Sequence, residues 1–147
     1  MYRTLDIEND PCTQGYPDES FDLIVASNVL HATKRLSDTM RNVRRLLRPG
    51  GYLDMMEITD NGPIRSGFVF GSLPGWWFGA DDGRVLSPLI SCAEWDSLLR
   101  KTGFSGIDSV THDTYRLPYP GSIFVSQAVD DKNIFLTQPS FPTTCLA

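Results

Sequence analysis

The stretch Phe21-Asp22-Leu23-Ile24-Val25-Ala26-Ser27-Asn28 places four apolar residues in succession between polar flanks. An unbroken run of this kind predicts a strand buried on both faces, as in a parallel sheet covered by helices. Beyond it, Leu36, Met40, Val43 and Leu47 recur at spacings of 4, 3 and 4, which predicts an amphipathic helix with Ser37 as its N-cap and Pro49-Gly50-Gly51 as its stop. A second apolar run covers Tyr52 to Ile58. Strand, helix and strand at this spacing make a βαβ unit, whose crossover is right-handed in nearly all cases. Upstream, Tyr2 to Ile7 reads as a short strand, and Asn9-Asp10-Pro11 and Gln14-Gly15-Tyr16-Pro17-Asp18 read as turns.

Residues 59–86 break the pattern. Six glycines (Gly62, Gly67, Gly71, Gly75, Gly79, Gly83) are interleaved with Phe68, Phe70, Trp76, Trp77 and Phe78, and a loop this long in a compact domain is usually functional. Ser91-Cys92-Ala93-Glu94 then has the form of a capping box, followed by Trp95, Leu98 and Leu99 as an apolar face and Gly103 as the helix end. Strands are expected around Ile107–Val110 and Ser122–Val129, separated by a turn at Leu117-Pro118-Tyr119-Pro120-Gly121. From residue 130 onward no period is visible, so residues 132–147 are expected to form a loosely ordered tail to a unit spanning 1–131.

Composition narrows this reading. With 147 residues, 41% of them apolar, and 3 Trp, the chain is one domain's worth of globular sequence rather than a disordered segment. The balance of 13 Lys+Arg against 18 Asp+Glu argues against a nucleic-acid partner, which a basic excess would signal. No window has the length of a membrane span and the start has no signal-peptide core, so no membrane partner and a cytoplasmic location are expected. Cys12, Cys92 and Cys145 are far apart, and with only His31 and His112 beside them they suggest free thiols and no metal site.

Ligands of open parallel sheets bind beyond the carboxyl ends of the strands. His31 lies just past the first long strand, and Glu57 lies near the end of the next. A carboxylate bonded to one imidazole nitrogen fixes the tautomer and strengthens the other nitrogen as a base, so these two are the candidate catalytic pair. The plainer alternative is that His31 closes a turn and Glu57 faces solvent. Arg41, Arg44, Arg45 and Arg48 form either a solvated helix face or a docking patch for an acidic partner. The glycine–aromatic segment, with Trp76, Trp77 and Phe78, is either core filling or a substrate lid.

Phe21-Asp22-Leu23-Ile24-Val25-Ala26-Ser27-Asn28-Val29-Leu30-His31-Ala32-Thr33, Leu46-Leu47-Arg48-Pro49-Gly50-Gly51-Tyr52-Leu53, Glu57-Ile58-Thr59-Asp60 and Gly71-Ser72-Leu73-Pro74-Gly75-Trp76-Trp77 resemble the C-methyltransferase domain of fungal highly reducing polyketide synthases. The helix segment Glu94 to Phe104 resembles the same domain. The resemblance implies an α/β fold with a Rossmann-like class I methyltransferase sheet, ending in an antiparallel strand pair. It further implies S-adenosylmethionine as cofactor and a β-ketoacyl chain on an acyl carrier protein as acceptor. His31 and Glu57 match the family's proton-abstracting pair. Asp6 and Ile7 match the stretch that contacts adenine, and Ser27 and Asn28 would border the sulfonium.

The family's glycine-rich turn and the acidic residue that holds the ribose precede the blocks matched here. The chain therefore reads as the family's sheet from its third strand on, apparently truncated by two strands. Its expected partners are the amino-terminal half of the domain or the remaining synthase domains. The competing reading is an inactive remnant or interaction module that does not bind the cofactor.

Overall fold

In a computed structural model, the chain is described for residues 2–59, 64–111 and 121–130. The elements follow in the order β1 (Phe21–Ser27), α1 (Leu36–Leu46), β2 (Leu47–Ile58), α2 (Ile64–Phe70), α3 (Cys92–Lys101), β3 (Ser109–Val110) and β4 (Gly121–Gln127). The four strands form one sheet in the order β1-β2-β4-β3. β1 and β2 are parallel, with Ile24 beside Leu53 and Ala26 beside Met55. β4 runs antiparallel to β2 and pairs Ser122 with Glu57, and β3 is antiparallel to β4. The βαβ unit and the antiparallel pair expected from the sequence are therefore both present.

Period-two alternation in β2 decides which face is the core. Gly51, Leu53, Met55 and Glu57 are buried while Tyr52 and Met56 are exposed, because α1 and α3 cover only the first set. Leu36, Met40 and Val43 on α1 and Trp95 and Leu99 on α3 pack with Leu53, Met55 and Phe124. Burying an aliphatic or aromatic side chain of this size contributes about 1.5–3 kcal/mol. α3 begins with the expected capping box, in which Ser91 accepts from the Glu94 amide and Glu94 reaches back to the Ser91 amide. Gly103, at φ +93°, follows that helix in the left-handed region that glycine adopts without strain.

Several expectations are corrected. β1 is not buried on both faces: Leu23 and Val25 are 55% and 68% exposed, since β1 ends the sheet order and no described helix covers its outer face. Residues 2–7 form no strand. The Gln14 side chain instead bonds both the amide and the carbonyl of Asp6, taking the groups a strand neighbour would use. Ser37 lies inside α1 rather than capping it. Arg35 holds the N-cap position without a side-chain bond, and Asp82, from far along the chain, accepts from the Leu36 amide at 3.1 Å. Pro49-Gly50-Gly51 does not stop the helix, which ends at Leu46. These residues open β2, where they are absorbed by a slip in pairing between Phe21 and Leu23.

The long glycine–aromatic segment is also more ordered than a loop, containing α2 and single helical turns at Pro74–Trp77 and Ala80–Asp82. On α1, Arg41 pairs with Asp38 and Arg45 with Asp10 and Asp18, while Arg48, which falls on β2, pairs with Asp22. Arg44 bonds the carbonyls of Leu47, Gly103 and Val129. These ion pairs are what a solvated helix face shows. No described helix is long and apolar enough to cross a membrane. The tail at 132–147, Cys145, His112 and most of the turn before Gly121 lie outside the described residues.

Candidate active site

At the carboxyl end of β1 the chain turns sharply. Asn28 sits in the left-handed region at φ +50°, which asparagine tolerates better than most residues, and its amide donates to the Met56 carbonyl on β2. The next residues form a single helical turn, Leu30–Ala32, which presents His31 beside the end of β2. His31 Nδ1 lies 2.5 Å from Glu57 Oε2, so the proposed pair is in hydrogen-bond contact. Glu57 does not face solvent, because its side chain is fully buried.

A buried carboxylate is tolerated only when its lone pairs are matched. Here Oε1 accepts from the Val29 and Leu30 amides at 3.3 and 3.0 Å, the free N–H groups that open the His31 turn. Held as a carboxylate, Glu57 can only accept, so the proton between the two side chains belongs to Nδ1. That leaves Nε2 as the ring's acceptor, and among the described residues nothing bonds it. His31 also lines a cavity of about 620 Å³ whose walls include Asn28, Met56, Ile58, Leu73, Trp76 and Leu89. The arrangement holds an imidazole by one ring nitrogen in the wall of a mainly apolar cavity.

Residues 2–53 match a family model described as a methyltransferase domain. Over 139 residues, 95% of its length, the chain is 57% identical to the hybrid PKS-NRPS synthetase poxE of Penicillium oxalicum. Over the same share it is 53% identical to the fusarielin synthase FSL1 of Gibberella zeae. It spans about 3% and 5% of those two proteins. Among solved structures, the trans-methyltransferase CalH in complex with SAH superposes with a TM-score of 0.80 at 42% identity, covering 87% of this chain and 36% of that one. The CMeT domain of the citrinin polyketide synthase gives 0.73 at 29% identity, covering 88% and 33%. The chain is a portion of a polyketide-synthase C-methyltransferase domain. It belongs with the class I, S-adenosylmethionine-dependent methyltransferases of the fungal synthases.

In this C-methyltransferase portion, the residues that the resemblance linked to the cofactor fall into two places. Asn28 borders the cavity beside His31, next to the exposed Ser27. Asp6 instead lines a separate recess of about 330 Å³ with Glu8, Asn9, Lys34 and Asp38. Its carboxylate accepts from the Glu8 amide and the Asn9 side chain, so it shapes the turn that forms the recess. Ile7 is part-buried against the core, and its carbonyl accepts from Asn42. Of the three aromatics, Trp76 alone lines the cavity, at 8% exposure and stacked on Phe70. Trp77 and Phe78 are exposed, with the Trp77 indole donating to Gly71 and the Lys34 ammonium over the Phe78 ring. Cys12 is no poised nucleophile, since its hydrogen bond to Asp18 pushes its thiol up from the ordinary value.

Sequence reasoning missed the residues behind the turn. Thr33 donates to the Leu30 carbonyl, and Thr39 on α1 donates to Thr33. Arg84 reaches in from the far side of the glycine–aromatic segment. Only 9% exposed, it bonds the carbonyls of His31, Thr33, Lys34 and Pro88, and its Nε faces Asp82 at 3.4 Å. Burial pulls the Arg84 guanidinium down from its usual range, with the Asp82 carboxylate opposing. An isolated arginine in a glycine-rich stretch carries no pattern that reveals such a contact set.

Proposed function

We propose that this chain forms the proton-abstracting wall of a site that methylates carbon, acting on a β-ketoacyl chain borne by an acyl carrier protein. The observation that carries this reading is the buried Glu57 holding His31 by Nδ1 in the wall of an apolar cavity. His31 Nε2 takes the proton from the carbon between ketone and thioester. The C–H electron pair spreads over the two flanking carbonyls, which is why an imidazole is a sufficient base. Glu57 stays charged and stabilises the imidazolium that forms. Met56, Ile58, Leu73, Trp76 and Leu89 exclude water and orient the acyl chain, and orientation supplies much of the acceleration of such a step.

Ser27 and Asn28 would hold the cofactor on the side that borders the cavity, and Asp6 and Ile7 on the adenine side. Asn28 suits this role because it lines the same cavity as His31, and Asp6 because it lines a polar recess. When bound, S-adenosylmethionine supplies an electrophilic methyl group. The remaining pocket would come from the amino-terminal half of the domain, within a large cytoplasmic synthase.

To test this reading, the chain is combined with a matching amino-terminal half and methyl transfer to a β-ketoacyl thioester is measured. His31→Ala should lower kcat by about 10²–10⁴-fold, the usual worth of a general base. An unchanged rate would show that His31 is not the base. Calorimetric titration with S-adenosylmethionine checks the assignment of Ser27, Asn28 and Asp6: alanine at these positions should weaken binding to the combined halves.

A further inference from the structure

His31 is carried by a turn of only three residues, and a side chain tethered at Nδ1 alone can still pivot if its backbone moves. Glu57 fixes the ring end and the two amides that open the turn. The carbonyls at and after the turn have no comparable support from secondary structure. Arg84 supplies it. One planar guanidinium bonds the carbonyls of His31, Thr33 and Lys34 on one side and of Pro88 on the other. Pro88 itself lines the cavity, so this fork ties the base's backbone directly to the cavity wall.

We propose that Arg84 is a positioning residue for His31, fixing the backbone of the His31 turn against the Pro88 wall so that Nε2 stays aimed into the cavity. The proposal rests on the reading of His31 as the base. Three features support it. Hydrogen bonds from a charged donor are stronger than neutral ones, and this donor is almost wholly removed from water. The fork serves four acceptors at once, which a lysine ammonium on a flexible stem cannot do. Finally, Gly79 leaves room for it: a Cβ at Gly79 would lie 2.5 Å from the guanidinium carbon. Gly79 has φ −84°, a conformation open to any residue, so what glycine provides there is space for Arg84 rather than a special backbone.

Two variants of the chain, each combined with a matching amino-terminal half, separate this role from general stability. Arg84→Ala removes the guanidinium, and Gly79→Ala displaces it while leaving its charge in place. The readout is the ring ¹⁵N spectrum of His31, which distinguishes the Nδ1–H tautomer from the Nε2–H tautomer. The wild-type chain should show the Nδ1–H form alone. Both variants should show exchange between forms with the amide spectra of α1 and α3 retained, and dilute guanidinium should restore the single form in Arg84→Ala.

Arg84→Lys should restore fold stability without restoring the single tautomer. If either variant, folded, keeps the wild-type His31 spectrum, or if Arg84→Lys recovers it fully, the positioning role is wrong. If Arg84→Ala does not fold, Gly79→Ala and Arg84→Lys decide the question. In the combined enzyme kcat should fall by roughly 10–100-fold with KM for the acyl thioester little changed, and equal loss in KM would contradict the proposal. Failure of the underlying reading shows separately, as methyl transfer that survives His31→Ala.

Discussion

At the scale of single residues, the Glu57 carboxylate is asymmetric. Oε1 faces two backbone donors and Oε2 faces one imidazole nitrogen. In Glu57→Gln the amide oxygen is held by the Val29 and Leu30 N–H groups, so the NH₂ must turn toward His31. It then donates to Nδ1 and forces the ring proton onto Nε2, the atom that has to accept. Glu57→Gln is therefore expected to lower kcat by about 10² or more while changing the melting temperature little. Steady-state kinetics beside thermal denaturation checks this, and a large loss of stability at normal kcat would overturn it. Both members of the pair could be named from the sequence because one βαβ step brings consecutive strand ends together. Burial of Glu57 could not be named, since it depends on amides that Val29 and Leu30 expose only once Asn28 has turned left-handed. Arg84 and Asp82 were invisible for a related reason: apart from each other, their partners are carbonyls and an amide, and backbone groups leave no trace in a sequence.

At the scale of elements, the two helices on the covered face begin in opposite ways. α3 has its cap in sequence, and Ser91 and Glu94 could be read directly as a capping box. α1 borrows its cap from Asp82, and the nearby Ser37 was a false signal because the helix had already begun at Leu36. Different tests follow. Ser91→Ala should destabilise the fold by about 0.5–2 kcal/mol. The bonds from the Ser91 hydroxyl and amide hold the Glu94 carboxyl below the ordinary carboxylate range. Because that value is lowered by folding, the stabilisation is full above the unfolded pKa of about 4.3 and disappears as pH falls through the depressed native value. Denaturant unfolding across that acid window should show a loss of stability in the wild-type chain that is smaller in Ser91→Ala. For α1, Asp82→Ala should weaken hydrogen-exchange protection of the Leu36 amide and of the first turn, with α3 unaffected. Equal loosening of both helices would mean that Asp82 supports the fold as a whole rather than one helix end.

For the molecule as a whole, the sheet is half dressed. α1 and α3 cover the face carrying Leu53, Met55 and Phe124, while Leu23, Val25, Tyr52, Met56 and Ile123 remain exposed on the other. Apolar surface of this kind marks a contact face rather than a solvated one, and among the described strands β1 lies at the edge of the sheet. The hydrophobic run in β1 announced a strand with two covered faces. That expectation describes a larger sheet than the described residues build, and the chain covers about a third of the length of the two solved relatives. Expressed by itself, the chain is expected to self-associate and to bind a hydrophobic dye. Leu23→Lys with Val25→Lys should reduce both effects without altering the far-ultraviolet spectrum, because these side chains pack against nothing in the core. The same pair should weaken reconstitution with an amino-terminal half, since the charges would then have to be buried. Sedimentation of the wild-type and doubly substituted chains decides the matter: a wild-type chain that stays monomeric and binds no dye would mean that the bare face is tolerated by water as it stands.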